Sequence, residues 1–523
     1  MKKKAYVLLS ALCTAGLLAG CGGGSSATNT TAAGSSAAGS DTASSEASSE
    51  APAPAALSEI TMLVNYKATE APADDNPIVT GIEDYTGVDV NITWVPQDAY
   101  EEKVNTLMAS TSLPMVTVIR ENKSSGFVNA ARSGMFWDVG PYLDQFENFS
   151  KIDDVVYKNT QTDGHQYLIP RIRDTVRMGG IIRTDWLENL GLEMPTTIDE
   201  LHDILYAFTY EDPDQNGQDD TFGFSMQASD LKTVTTQLAI YMGGCNVWQA
   251  NDDGTFTSEY ETEAYQKAIQ MMHDWYDEGL VNKDFPINDD ELTNFNSGKC
   301  GMMWLGNLKD AATRMQDLTT INPDATVDIF QILTEEPGGE KHVTGYQGYN
   351  GGMVIPTTAV ETEEELMAVL SFLDKLGDPE MCDLINWGIE GESYSIEDGK
   401  AVQTEEQQTV YATKYNQLRQ VTPFYTFQNT PAGSLTDIAQ KQRELFAENA
   451  QYAVADPSLP YISETLTEYG GETGELAVFI EDACTNYVIG EISFEDWQST
   501  LQEWKDKGAA KVAEEFAEQY NAG

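Results

Sequence analysis

Beyond residue 57 the chain alternates short apolar runs with stretches whose apolar residues recur every three or four positions. Glu59-Ile60-Thr61-Met62-Leu63-Val64 predicts a first strand. Tyr85–Trp94, with Val88, Val90 and Ile92 in alternation, predicts a second. Tyr100, Val104, Leu107 and Met108 then fall at helical spacing, and Leu113–Ile119 reads as a buried strand. Strands alternating with helices predict an α/β domain on a largely parallel sheet. Further on, Thr197 and Glu200 form a capping box ahead of Ile198, Leu201, Ile204, Leu205 and Phe208, which share one helical face. An acidic loop, Glu211–Asp220, ends that helix, and Phe222, Phe224 and Met226 alternate after it as on a half-buried strand. Thr362 and Glu365 open another helix, with Leu366, Val369, Leu370 and Leu373 on its apolar face. Ser493 caps a third, whose Trp497, Leu501 and Trp504 read as core.

The N-terminus has a different pattern. Lys2, Lys3 and Lys4 precede an apolar run, Ala5–Ala19, shorter than the ~20 residues of a spanning helix. Residues 1–20 therefore read as a removed secretory signal. The run closes on Leu17-Leu18-Ala19-Gly20-Cys21, which resembles a bacterial lipobox, with Cys21 left to carry diacylglycerol. Residues 22–56 are almost entirely Gly, Ser, Ala and Thr, too polar to fold, and form with Cys21 a tether (21–56) of about 30 Å root-mean-square. The formal charge of −54, from 30 basic and 84 acidic residues, excludes a nucleic-acid partner, which needs clustered Lys and Arg. It also disfavours anionic ligands unless a local basic pocket exists, and fits a soluble monomer. Of six cysteines, Cys13 lies in the signal and Cys21 is the anchor. Cys245, Cys300, Cys382 and Cys484 stand far apart, outside any zinc spacing.

Four stretches resemble one family. They are Ile181–Phe224 (IIRTDWLENLGLEMPTTIDELHDILYAFTYEDPDQNGQDDTFGF), Met271–Trp304 with MMHDWYDEGLVNKDF and FNSGKCGMMW, Ile385–Lys400 (INWGIEGESYSIEDGK), and Leu476–Tyr520 with YVIGEISFEDW. Their order and spacing resemble extracellular solute-binding protein family 1 of ABC importers, in its large lipoprotein branch. The resemblance implies a two-lobe, periplasmic-binding-protein-like α/β fold with discontinuous lobes joined by a hinge, at 57–172 and 350–425 and at 173–349 and 426–523. Gly351 and Gly352 would lie at a crossing. It implies no catalysis. It implies capture of a carbohydrate, an oligosaccharide, in the interlobe cleft, permease subunits as partners, and a lipid-anchored place on the outer face of the bacterial cytoplasmic membrane. Members often carry Pro-Asp where the third strand begins. Pro114-Met115 stands here, so a ligand role for that acid is lost.

Sugar rings need flat aromatic faces and planar hydrogen-bonding groups. The candidates for the cleft are Trp304, Trp387, Trp248, Tyr349, Glu390, Arg120 and Asn65. In the acidic loop Asp212, Asp214, Asn216, Gln218 and Asp220 take positions 1, 3, 5, 7 and 9 of an EF-hand-like register, with Gly217 at the sharp turn. Position 12 is Gly223, and the loop joins a helix to a strand, so this is not an EF-hand. Relatives with a similar DPDxNGxxD loop imply structural Ca2+. None of the four histidines falls in HExxH, and the folded part holds neither GxSxG nor GxxxxGK[ST]. Eighty-four acids make chance carboxylate pairs inevitable, so glycoside hydrolase is the enzymatic alternative. A sensory lipoprotein binding a sugar or peptide is the other.

Overall fold

The computed structural model describes residues 57–522 apart from Asp74, Asp289, Ser434 and Leu435, so the signal, Cys21 and the tether to residue 56 lie outside the described residues. Its nine principal strands are β1 (Glu59–Tyr66), β2 (Asp89–Pro96), β3 (Val116–Ile119), β4 (Ile169–Ile172), β5 (Gly179–Arg183), β6 (Phe222–Ser225), β7 (Cys300–Leu305), β8 (Val327–Phe330) and β9 (Tyr349–Val354). They form a five-stranded sheet, ordered β2-β1-β3-β9-β4, and a four-stranded sheet, ordered β8-β5-β7-β6.

β1, β2 and β3 run parallel, and β9 is antiparallel to β3 and β4. The apolar run of β1 is buried on both faces, as a central parallel strand requires. Helices Pro77–Thr86, Gln97–Ala109, Ser125–Arg132 and Glu363–Lys375 cover this sheet and complete one core. The second sheet is also covered on both sides. Ile182 and Met302 face helices Ile198–Tyr210, Asp230–Tyr241, Glu475–Val488 and Phe494–Trp504, whereas Ile181 and Met303 face Ala311–Ile321 and Asp437–Asn449. Two cores on two sheets give a two-lobe α/β architecture.

Local sequence accounts for most elements. The capping boxes at Thr197, Thr362 and Ser493 are all formed, and Trp497 is fully buried. Three expectations are corrected. Tyr85 and Thr86 close the helix begun at Pro77, with Gly87 in a left-handed C-cap, so β2 starts only at Asp89. The first sheet is mixed and not largely parallel, because β9 is antiparallel to β3 and β4, and the second is mixed too, with only β6 pairing β7 in parallel. Gly351 and Gly352 lie inside β9, where a Cβ on Gly351 would meet the Ile119 carbonyl at 2.3 Å. Their role is close strand approach.

The crossings lie beside them. Residues 173–178 lead from β4 to β5, and 345–348 return to β9. Two backbone bonds tie the crossings together: Arg173 N to Gly348 O and Tyr346 N to Thr175 O, each 2.7 Å. A third passage, after Phe427, reaches helix Asp437–Asn449, which meets β8 through Lys441 and Asp328 (2.6 Å). Cys245, Cys300, Cys382 and Cys484 are free thiols. Burial pushes each up to about 12.

Candidate ligand-binding site

β1, β2 and β3 end at one edge of the first sheet, where an open α/β sheet presents loops to ligands. The antiparallel register puts Tyr349, opening β9, and Ile172, closing β4, at that same edge. Asn65, at the end of β1, is 3% exposed. Its Nδ2 donates to Gln97 Oε1 at 2.8 Å, while its Oδ1 has no partner. Gln97, Tyr66, Lys67 and Asp98 line a hollow of about 400 Å³. Arg120 follows β3 and stands 3.6 Å from Glu101. Burial raises the Glu101 carboxyl above its ordinary range, against the pull of Arg120. The Tyr349 hydroxyl reaches Asn122 Oδ1 (3.4 Å) and the Asn159 carbonyl (3.3 Å), and Asn122 Nδ2 is left unpartnered.

The second sheet turns a comparable edge to the same crossings. Trp304, near the end of β7, and Phe330, at the end of β8, both pair with Gly180 at the start of β5. Trp304 is 8% exposed and packs edge-on against Phe330 at 5.6 Å, yet its Nε1 has no partner. Gln331 Nε2, just beyond β8, is likewise unpartnered. So is Nε2 of Gln237, whose Oε1 accepts from Thr344 Oγ1 (2.7 Å) beside the returning crossing. Unpaired buried donors carry the full cost of desolvation. A polyhydroxylated ligand offers them acceptors and offers the rings an apolar face.

The expected residues separate into groups. Asn65, Arg120 and Tyr349 share the first edge, and Trp304 is at the second. Trp387 ends helix Pro379–Trp387, donates Nε1 to Thr430 O (3.1 Å) and lies 6.3 Å from Tyr394. Exposed Glu390 bridges to the same Tyr394. Trp248 is 8% exposed and packs edge-on against Phe516 in the second lobe's core. The turn before it still touches the returning crossing, through Asn246 Nδ2 and Gly345 O (2.7 Å). Sequence reasoning missed Gln97, Asn122, Gln237 and Gln331. It also missed Arg171, Arg173, Arg177 and Arg419, of which three stand in a single RIRDTVR run.

The acidic loop lies at the opposite end of β6 and β7 from Trp304, since Phe222 pairs with Cys300 there. Asn216 N donates to Asp212 Oδ1 (3.0 Å) and Gly217 N to Asp212 Oδ2 (3.1 Å). Asn216 Nδ2 bridges Asp214 Oδ2 (2.8 Å) and Asp220 Oδ1 (3.1 Å). Burial, with Asp220 and Asp212 adding to it, raises the Asp214 carboxyl. One oxygen each of Asp214 and Asp220 thus converges on the Asn216 side-chain amide. Among the described residues no three His, Cys, Asp or Glu side chains form a metal-binding group, so any such site here draws on Asn216 and backbone oxygen.

A model of the bacterial extracellular solute-binding proteins matches residues 61–381. The chain belongs to that family. The lipoprotein LipO of Bacillus subtilis (strain 168) is 32% identical over 476 residues, 88% of this chain and 92% of LipO. The polygalacturonan/rhamnogalacturonan-binding protein YtcQ of the same organism is 31% identical over 442 residues, 84% of this chain and 87% of YtcQ. The solved EF-hand mutant of the Streptococcus pneumoniae ABC-transporter substrate-binding protein FusA, in complex with fructo-nystose, superposes at a TM-score of 0.60. It is 20% identical and covers 89% of this chain and 99% of its own. That likeness is one of fold, and it is the two-lobe periplasmic-binding-protein-like fold. The family and these relatives are substrate-binding proteins, not enzymes, which removes the glycoside hydrolase alternative for this binding protein.

Proposed function

We propose that this binding protein is the ligand-capturing lipoprotein of an ABC importer, taking an oligosaccharide between its lobes and delivering it to permease subunits. The lobes are 57–172 with 350–425, and 173–349 with 426–523. The observation that carries the reading is the pairing of two strand-end edges, each holding aromatic rings beside buried donors or acceptors without protein partners. Asn65, Arg120 and Tyr349 would contact the ligand from one side and Trp304 from the other. Trp248, Trp387 and Glu390 lie further out. The names of YtcQ and FusA, both carbohydrate binders, support the ligand class. A thermal-shift screen against neutral and acidic oligosaccharides tests it. A cognate ligand at one hundred times its dissociation constant adds about 2.7 kcal/mol, and no shift across the panel refutes the reading.

The lipobox-like run and the lipoprotein relative LipO support a signal at 1–20, acylation of Cys21 and a monomer held on the outer face of the cytoplasmic membrane. Cys21→Ala should release the protein into the medium or leave it unprocessed, and normal membrane retention of that variant would sink the anchor. The loop oxygens of Asp212, Asp214, Asn216, Gln218 and Asp220 suit a hard cation such as Ca2+, which takes six to eight oxygens at about 2.3–2.6 Å. Bound there, the ion would brace the helix-to-strand connection of the second lobe.

A further inference from the structure

The chain carries only nine arginines against 84 acids, yet five converge at the first lobe's strand-end edge and the adjoining crossing. Arg171 is the third of the four residues of β4, and Arg173 and Arg177 lie on the crossing that leaves it. Arg419 arrives from the turn Asn416–Val421, and Arg120 from the end of β3. Arg173 and Arg419 hold their guanidinium carbons 3.6 and 3.7 Å from the centre of the Tyr425 ring. Arg177 stands 4.1 Å over Tyr346. Arg171 is 2% exposed and reaches Gln420, a neutral amide.

None of the ion pairs among the described residues involves Arg171, Arg173, Arg177 or Arg419; only Arg120 has one, with Glu101. The buried Nε atoms of Arg171, Arg177 and Arg419 have no hydrogen-bond partner at all. Burial, and for Arg173 the neighbouring Arg171, Arg419 and Arg177, works against the cation, pushing Arg171 down to about 10 and Arg173 to about 9. Both stay protonated at neutral pH. Tyrosine faces offset part of this cost but supply no negative charge. Four like charges gathered at a half-buried edge, none of them paired with a carboxylate, suit an incoming anion, and the planar guanidinium fork matches carboxylate or sulfate in bidentate fashion.

We infer that the ligand is an anionic oligosaccharide, whose uronate carboxylates or sulfate esters dock on Arg171, Arg173, Arg177 and Arg419 while its rings meet the aromatic faces. The inference rests on the oligosaccharide reading above and narrows it to the charged class. It also supplies the local basic pocket without which a charge of −54 would repel such a ligand. Titration calorimetry of the full mature chain tests it with four probes: uronate tetrasaccharides, their methyl esters, sulfated tetrasaccharides, and neutral tetrasaccharides of the same linkages. Uronate binding that weakens about tenfold or more on esterification, and again in 0.5 M salt, is expected. Preference for the sulfated arm would assign the anion to sulfate. Arg173→Gln and Arg419→Gln should each cost about tenfold or more in affinity for the acid, with unchanged melting, while Arg132→Gln on the surface costs nothing. Equal or tighter binding of the ester or neutral probe by the wild type overturns the charge inference and leaves the oligosaccharide reading standing. Silence from all four overturns both.

Discussion

Trp304 does two things that one substitution can separate. Its ring fills the space beside Phe330, and its Nε1–H points at no protein acceptor. Trp304→Ala would lose the packing, at about 3–5 kcal/mol, and say little about the ligand. Trp304→Phe keeps an edge-on ring and deletes the unpaired donor. Its melting temperature should therefore stay near that of the wild type while affinity for the cognate oligosaccharide falls about tenfold, as calorimetry would show. Normal affinity in Trp304→Phe would remove the indole N–H from the site. Sequence offers Asn65 and Arg120 as candidates because each stands at the end of a predicted strand, Trp304 because it closes a family motif, and Tyr349 because it flanks the expected hinge. It offers neither Arg171 nor Arg419. They lie 248 positions apart, their segments brought together by Arg171 with Gln420 and by Ile172 N with Pro423 O, and nothing in either local segment announces the other.

Among elements, the loop between helix Ile198–Tyr210 and β6 is the most sharply specified by sequence. The alternation of Asp212, Asp214 and Asn216 with Gly217 (φ +78°) folds back on itself through backbone donors to the Asp212 carboxylate and the Asn216 amide oxygen. Burial, with the neighbouring Asp212 and Asp220, raises the Asp214 carboxyl, and a divalent ion would offset the repulsive part. Chelator should lower the melting temperature of the wild type and leave Asp212→Ala/Asp214→Ala almost unmoved. A wild-type curve indifferent to chelator, with no metal by elemental analysis, would be decisive against the ion. Helices were legible through their caps and 3.6-residue stripes. The boundary at Tyr85–Asp89 was not, because the β-branched run of β2 hides the left-handed stop at Gly87. Strand direction in the second sheet was equally hidden, since β5, β7 and β8 are buried apolar segments whichever way they run.

At the scale of the molecule, the two cores are joined by segments held to each other through Arg173 with Gly348 and Tyr346 with Thr175, and to the lobes through Arg177 with Leu308 and Gly345 with Val454. Such a paired strap can flex at its ends while keeping the lobes in register, as hinge closure requires. Adding the cognate oligosaccharide should shrink the radius of gyration in solution scattering. An unchanged scattering curve at saturating ligand would mean that binding does not close the lobes. The two-lobe plan was readable only through the order of family motifs. The strap was misplaced by a few residues toward Gly351-Gly352, because a glycine pair marks a close backbone approach as readily as a pivot.

The four thiols have a consequence for how such a chain matures. Members of an extracellular family acquire their shape where oxidants are abundant, and many exported proteins depend on thiol oxidases and isomerases to reach it. Here the four cysteines of the described body are single, three buried and Cys245 half-buried, and burial pushes each up to about 12, so almost none is thiolate at neutral pH. Folding of this body then closes no disulfide among them. Thiols held in the protonated form are slow to react with peroxide or with a stray mixed disulfide, so these four add no redox sensitivity of their own to the fold.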